Sequence, residues 1–84
     1  MYKLLIVDNE HYIRLGIRNA IDWSSINVEI IGEAADGLSA LEVAREAHPD
    51  IILLDICMPL LNGIEVMKQL RKEGLDCDII VHRG

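Results

Sequence analysis

Two short runs in this chain, Leu4 to Val7 and Ile51 to Leu54, are apolar at every residue, and each stops at an aspartate, Asp8 and Asp55. A strand with one wet face alternates apolar and polar residues, whereas one that is apolar throughout is covered on both faces, as in a parallel sheet flanked by helices. Between these runs the apolar spacing turns helical. Ile13, Ile17, Ala20 and Ile21 recur at i, i+4, i+7 and i+8, which predicts a first helix. Leu38, Leu41, Ala44 and Ala47 form a second stripe, and Ile64, Met67 and Leu70 a third with Lys68, Arg71 and Lys72 on its outer side. Val28 to Ala34 reads as another strand and Cys77 to Val81 as a fourth. Asp36-Gly37 reads as a turn, Pro49 as the end of the second helix and Gly74 as the cap of the third.

Alternating strands and helices require right-handed crossovers, hence an α/β fold with a parallel sheet and helices on both faces. The expected architecture is a flavodoxin-like doubly wound sheet, in which strands one and three lie side by side and ligands bind beyond the carboxyl ends of the strands. For four strands that fold class implies the order 2-1-3-4. Asp8 and Asp55 stand at the two adjacent ends. A charge closing an apolar strand is costly unless a cation or hydrogen bonds compensate it, so the pair suggests a metal, and oxygen-only ligands favour Mg²⁺. Two separately solvated strand-end acids are the alternative reading.

At 84 residues the chain is expected to form one small domain, residues 1–84. Eight Lys and Arg against fourteen Asp and Glu leave a formal charge of −6. Such a charge repels phosphate backbones and anionic lipid, which argues against direct nucleic-acid or membrane binding by this segment. The longest apolar runs are four residues, far short of the ~20 that span a bilayer. With no leader-like segment, the expected location is the cytoplasm. Cys57 and Cys77 stand apart from each other and from any histidine at ligand spacing, as packed, reduced thiols would. His11, His48 and His82 lie on three different segments and form no pair readable from spacing.

Leu5-Ile6-Val7-Asp8, then Asp55-Ile56-Cys57-Met58-Pro59 with Asn62-Gly63, resemble the receiver domain of two-component response regulators over nearly the whole chain. Ile21-Asp22-Trp23 and Gly32-Glu33-Ala34-Ala35-Asp36-Gly37 resemble the branch whose receivers precede AraC-type helix-turn-helix output domains. The resemblance implies that Asp55 accepts a phosphoryl group from a phosphohistidine on a sensor histidine kinase. It also implies Mg²⁺ held by Asp8, Asp55 and the backbone carbonyl of Cys57, and no enzymatic activity beyond this self-catalysed transfer. A haloacid-dehalogenase-type phosphatase would need a second aspartate two residues after the first, where Cys57 stands.

Two departures qualify the resemblance. Asn9 occupies the position of a second metal-binding acid, which makes it a weak, neutral ligand, or an N-cap that starts helix one with Glu10 in its first turn. The position aligned with the family's Ser or Thr is Arg83, and the family's strand five, its Lys and the last helices lie beyond Gly84. The expectation is therefore a partial receiver whose outermost strand is strand four. Its open edge predicts a homodimer. A phosphorylation-independent interaction module that keeps only the fold is the second function class.

Overall fold

The computed structural model describes residues 1–58 and 62–82. Strands β1 (Tyr2–Val7), β2 (Val28–Ala34), β3 (Ile51–Asp55) and β4 (Asp78–His82) alternate with helices α1 (His11–Ala20), α2 (Gly37–Ala47) and α3 (Gly63–Lys72), and a 3₁₀ turn (Trp23–Ile26) precedes β2. The sheet order is β2-β1-β3-β4 with every pair parallel. This is the flavodoxin-like order expected from the sequence. The two fully apolar runs are its central strands, β1 and β3.

Side chains alternate across a strand, so a strand apolar throughout feeds two cores. Leu5, Val7, Ile52 and Leu54 join Ala40, Leu41 and Ala44 of α2 and Val66 and Leu70 of α3 on one face. Leu4, Ile6 and Val28 form the other, with Ile17 of α1, Trp23, Ile30, Ile51 and Leu53 packed against them. The Trp23 indole also donates to the Ile17 carbonyl at 3.0 Å, which ties the loop after α1 to its helix.

The expected helical stripes are buried at Leu41, Ala44 and Leu70, but not at their first residues. In α2 the buried residues are Gly37, Ala40, Leu41 and Ala44, again at i, i+3, i+4 and i+7, while Leu38 is 56% exposed. Asp36 is the N-cap, its carboxylate accepting from the Ser39 amide at 2.8 Å, so Gly37 opens the helix instead of closing a turn. In α3 the buried residues are Gly63, Val66 and Leu70, and Ile64 is 46% exposed. The close approach of Gly63 to the β3 backbone sets that phase. In α1 only Ile13 and Ile17 of the expected stripe are half-buried. The helix ends at Ala20, and Ile21 has extended backbone, so the last two positions leave the helical face.

Asn9 is not the N-cap of α1. Glu10 holds that position without a side-chain capping bond, and its amide donates to Asp8 Oδ1 at 2.8 Å. Gly74, with φ +73°, behaves as expected after α3: its amide donates to Arg71 and that of Leu75 to Leu70, which closes the helix end. Strand β4 begins one residue later than expected, with Cys77 buried just before it, and it extends through His82. Cys57 is exposed, not packed, because it lies past the end of β3. Among the described residues no helix is long and apolar enough to cross a membrane.

Candidate functional site

Three strands deliver three side chains to one place. Asp8 follows β1, Asp55 ends β3, and His82 ends β4 directly opposite Asp55 in the ladder. The ladder β1–β3 pairs Val7 with Leu54, which makes Asp8 and Asp55 neighbours as well. Asp8 and Asp55 are only 1% and 3% exposed. One side-chain donor atom from each of Asp8, Asp55 and His82 falls within 4.8 Å of the others.

The local backbone holds these groups in place. The Asp8 amide donates to the Ala34 carbonyl at 3.0 Å, and Arg14 donates to the Asp8 carbonyl at 2.6 Å. Arg14 and Arg18 also clamp Glu33. Partial burial alone would raise the Glu33 carboxyl, but hydrogen bonds from Arg18 and Arg14 outweigh it and hold the group below the usual carboxylate range. Asp55 Oδ1 accepts the Cys57 amide at 2.9 Å, the same turn that Asp8 makes with Glu10. The Ile56 amide donates to the His82 carbonyl at 3.0 Å, which fastens the end of β4 beside the Asp55 loop. Helix α3 starts against that loop: the Gly63 amide donates to the Ile56 carbonyl, and Asn62 caps the helix by accepting from Glu65 at 3.0 Å.

The arrangement leaves a specific electrostatic deficit. Asp8 Oδ1 is occupied by the Glu10 amide, but Asp8 Oδ2 is buried and accepts no hydrogen bond. The imidazole of His82 lies beside it, with Nε2 at 3.7 Å. Leaving a buried acceptor unmatched costs about 1–3 kcal/mol, more when it is charged, and a second carboxylate alongside adds repulsion. A divalent cation answers both. The donor set, two carboxylates at an open strand end, fits such an ion.

The structure brings Asp8 and Asp55 together, as the sequence reading expected. Asn9 is exposed in the bend beside Asp8, and Cys57 lies two residues beyond Asp55 on the loop that returns to α3. Pro59 of the Met58-Pro59 pair and Arg83 lie outside the described residues. His82 is the residue that spacing alone missed. A signal was present: Ile79 to Val81 is an apolar run closed by a polar residue, just as Asp8 and Asp55 close theirs.

A four-stranded 2-1-3-4 parallel sheet with a buried acidic pair at its carboxyl edge defines a doubly wound α/β domain with a site at its strand ends. The response regulator receiver domain family matches residues 4–82, and the chain belongs to it. An uncharacterized transcriptional regulatory protein of Bacillus subtilis, YhcZ, is 39% identical over 79 residues, covering 94% of this chain and 36% of that protein. The chain thus spans about a third of that relative's length. Among solved structures, the receiver domain of AraT from Geobacillus stearothermophilus superposes with a TM-score of 0.88 at 42% identity, covering 95% of this chain and 62% of that one. A two-component transcriptional regulator AraC from Clostridium phytofermentans superposes at 0.88 with 33% identity, covering 96% and 63%. Receiver domains act in two-component systems, interact with histidine kinases and generally bind Mg²⁺ at an acidic site.

Proposed function

We propose that this chain is the phosphoacceptor module of a response regulator, with Asp55 as the acceptor. An Asp55 oxygen attacks the phosphorus of a phosphohistidine on a sensor kinase; the O–P bond forms, the N–P bond breaks, and the kinase imidazole leaves. The attacking atom is a carboxylate oxygen, so the step needs positioning and charge compensation. Asp55 is positioned by the Cys57 amide on Oδ1 and by the packing of Gly63 against its backbone. Mg²⁺ would be held by Asp8, Asp55 and the Cys57 backbone carbonyl, with Asn9 as a weak neutral ligand. When bound, it neutralises the crowded phosphoryl oxygens.

The observation that carries this reading is the buried Asp8 Oδ2, without a hydrogen bond, beside the buried Asp55. The output controlled by the module is a DNA-binding transcription regulator outside this segment, in keeping with the transcriptional-regulator names of its relatives. The module works in the cytoplasm, and the 84-residue chain pairs with a second copy through β4.

Intact-mass analysis tests the acceptor role. Incubation with a small phosphodonor and Mg²⁺ is expected to add a hydroxylamine-sensitive phosphoryl group that Asp55→Asn abolishes. A folded protein that gains no adduct would instead be an interaction module independent of phosphorylation, and an adduct that survives Asp55→Asn would place the acceptor elsewhere.

A further inference from the structure

We propose that His82 Nε2 is a third side-chain ligand at the Asp8–Asp55 site, and that the site therefore prefers a borderline transition-metal cation to Mg²⁺. The inference rests on the reading that Asp8 and Asp55 hold a cation.

Geometry is the first argument. His82 stands opposite Asp55 in the β3–β4 ladder, and its main chain is fixed there by the Ile56 amide at 3.0 Å. The separation of His82 Nε2 from Asp8 Oδ2 is 3.7 Å. That exceeds the ~2.7–3.2 Å of a hydrogen bond. Two donors each ~2.1 Å from one ion at a tetrahedral angle lie ~3.4 Å apart. The observed spacing is close to that of two ligands sharing a cation.

Burial is the second. Asp8 is 1% exposed, and its Oδ2, which faces His82, accepts no hydrogen bond. With Oδ1 committed to the Glu10 amide, Oδ2 is the atom directed into the cluster.

Donor chemistry is the third. Mg²⁺ is a hard ion that takes oxygen ligands and sheds water reluctantly. Imidazole nitrogen suits ions later in the first transition row, whose affinity for a mixed nitrogen and oxygen site rises from Mn²⁺ through Co²⁺ to Cu²⁺. An all-oxygen site shows the same order more weakly, and adding the His82 nitrogen strengthens it.

Calorimetric titration of the protein with CoCl₂ and, separately, MgCl₂ tests the proposal. Wild type is expected to bind Co²⁺ at least ~10-fold more tightly than Mg²⁺, with an absorption band from the bound ion. His82→Ser and His82→Gln should each weaken Co²⁺ binding ~10-fold or more while changing Mg²⁺ affinity less than about threefold. Unchanged Co²⁺ affinity in both variants would overturn the proposal and reduce His82 to an electrostatic neighbour of Asp8. An equal loss of both ions in both variants would also overturn it, since His82 would then only support the site. Asp8→Asn separates the underlying reading: if it leaves Co²⁺ and Mg²⁺ affinity both unchanged, the acidic pair does not hold a cation at all.

Discussion

Gly63 lies so close to Ile56 that a Cβ placed on it would stand 2.8 Å from the Ile56 Cα and 2.9 Å from the Asp55 carbonyl oxygen. Both obstacles are backbone, so neither can rotate away. The start of α3 is thereby pressed against the loop that carries Asp55.

Gly63→Ala is accordingly expected to destabilise the protein by about 1–3 kcal/mol, the usual cost of overpacking a close contact. Denaturant unfolding measures it. Gly16→Ala is the control, since nothing lies within 4 Å of its position and it sits in the exposed middle of α1. There the change should be neutral or stabilising by up to about 1 kcal/mol, as helix propensity favours Ala. An equal response at both positions would show that the Gly63 contact yields without cost.

The same glycine explains why the strands were legible in the sequence and the helix phases were not. Short runs apolar at every residue match strands covered on both faces, and β1 and β3 are the two inner strands of the sheet. A helical stripe read from hydropathy begins at Leu38 in one helix and at Ile64 in the other, and both face solvent. Leu41, Val66 and Leu70 do face inward, but the first inward position of each helix is a glycine, Gly37 and Gly63, which lets the helix start approach closely. Hydropathy does not register close approach. Asp8 and Asp55 were found because each breaks an apolar strand. The place of His82 is not legible in the spacing of histidines along the chain, because parallel register sets residue 82 beside residue 55.

Asn9→Asp should tighten Mg²⁺ binding about 10-fold, because a neutral residue beside Asp8 becomes an anionic ligand and affinity for a hard cation follows ligand charge. Without metal the variant should melt lower, since another carboxylate joins a crowded edge, and added Mg²⁺ should restore the loss. Equal Mg²⁺ affinity in the two forms, measured by calorimetry, would remove Asn9 from the ligand set.

Arg45 forks onto Glu73, with Nε to Oε1 at 2.7 Å and Nη2 to Oε2 at 2.6 Å, and so ties α2 to the end of α3. These bonds, with a further one from Gln69, lower the Glu73 carboxyl from 4.5 to about 2. A carboxyl depressed in the folded state contributes stability that is present above its unfolded value and lost as pH falls through the folded one. The window is therefore between pH 4.5 and about 2. Carboxyl NMR titration should find the low midpoint in wild type and a rise toward 4.5 in Arg45→Ala; a midpoint that Arg45→Ala does not move would detach Glu73 from that ion pair.

Strand β4 is the outer strand on its side of the sheet, and it presents Ile80 at 55% and Val81 at 42% exposure. An outer strand offers a row of backbone donors and acceptors to any extended partner, and exposed β-branched side chains make that pairing favourable. A second copy of the chain carries the same edge, so a two-fold pairing of β4 with β4 satisfies both at once. Asp78, exposed at the start of the strand, acts against it by charge repulsion. The balance predicts a dimer of the 84-residue chain at tens of micromolar that dissociates in the low micromolar range, a weak association by the usual affinity scale. Ile80→Lys puts a charge in the middle of the edge and should give a monomer at every concentration, with the fold intact by circular dichroism. Sedimentation velocity across a concentration series decides the matter: a wild-type chain that stays monomeric throughout would show that the β4 edge is tolerated open.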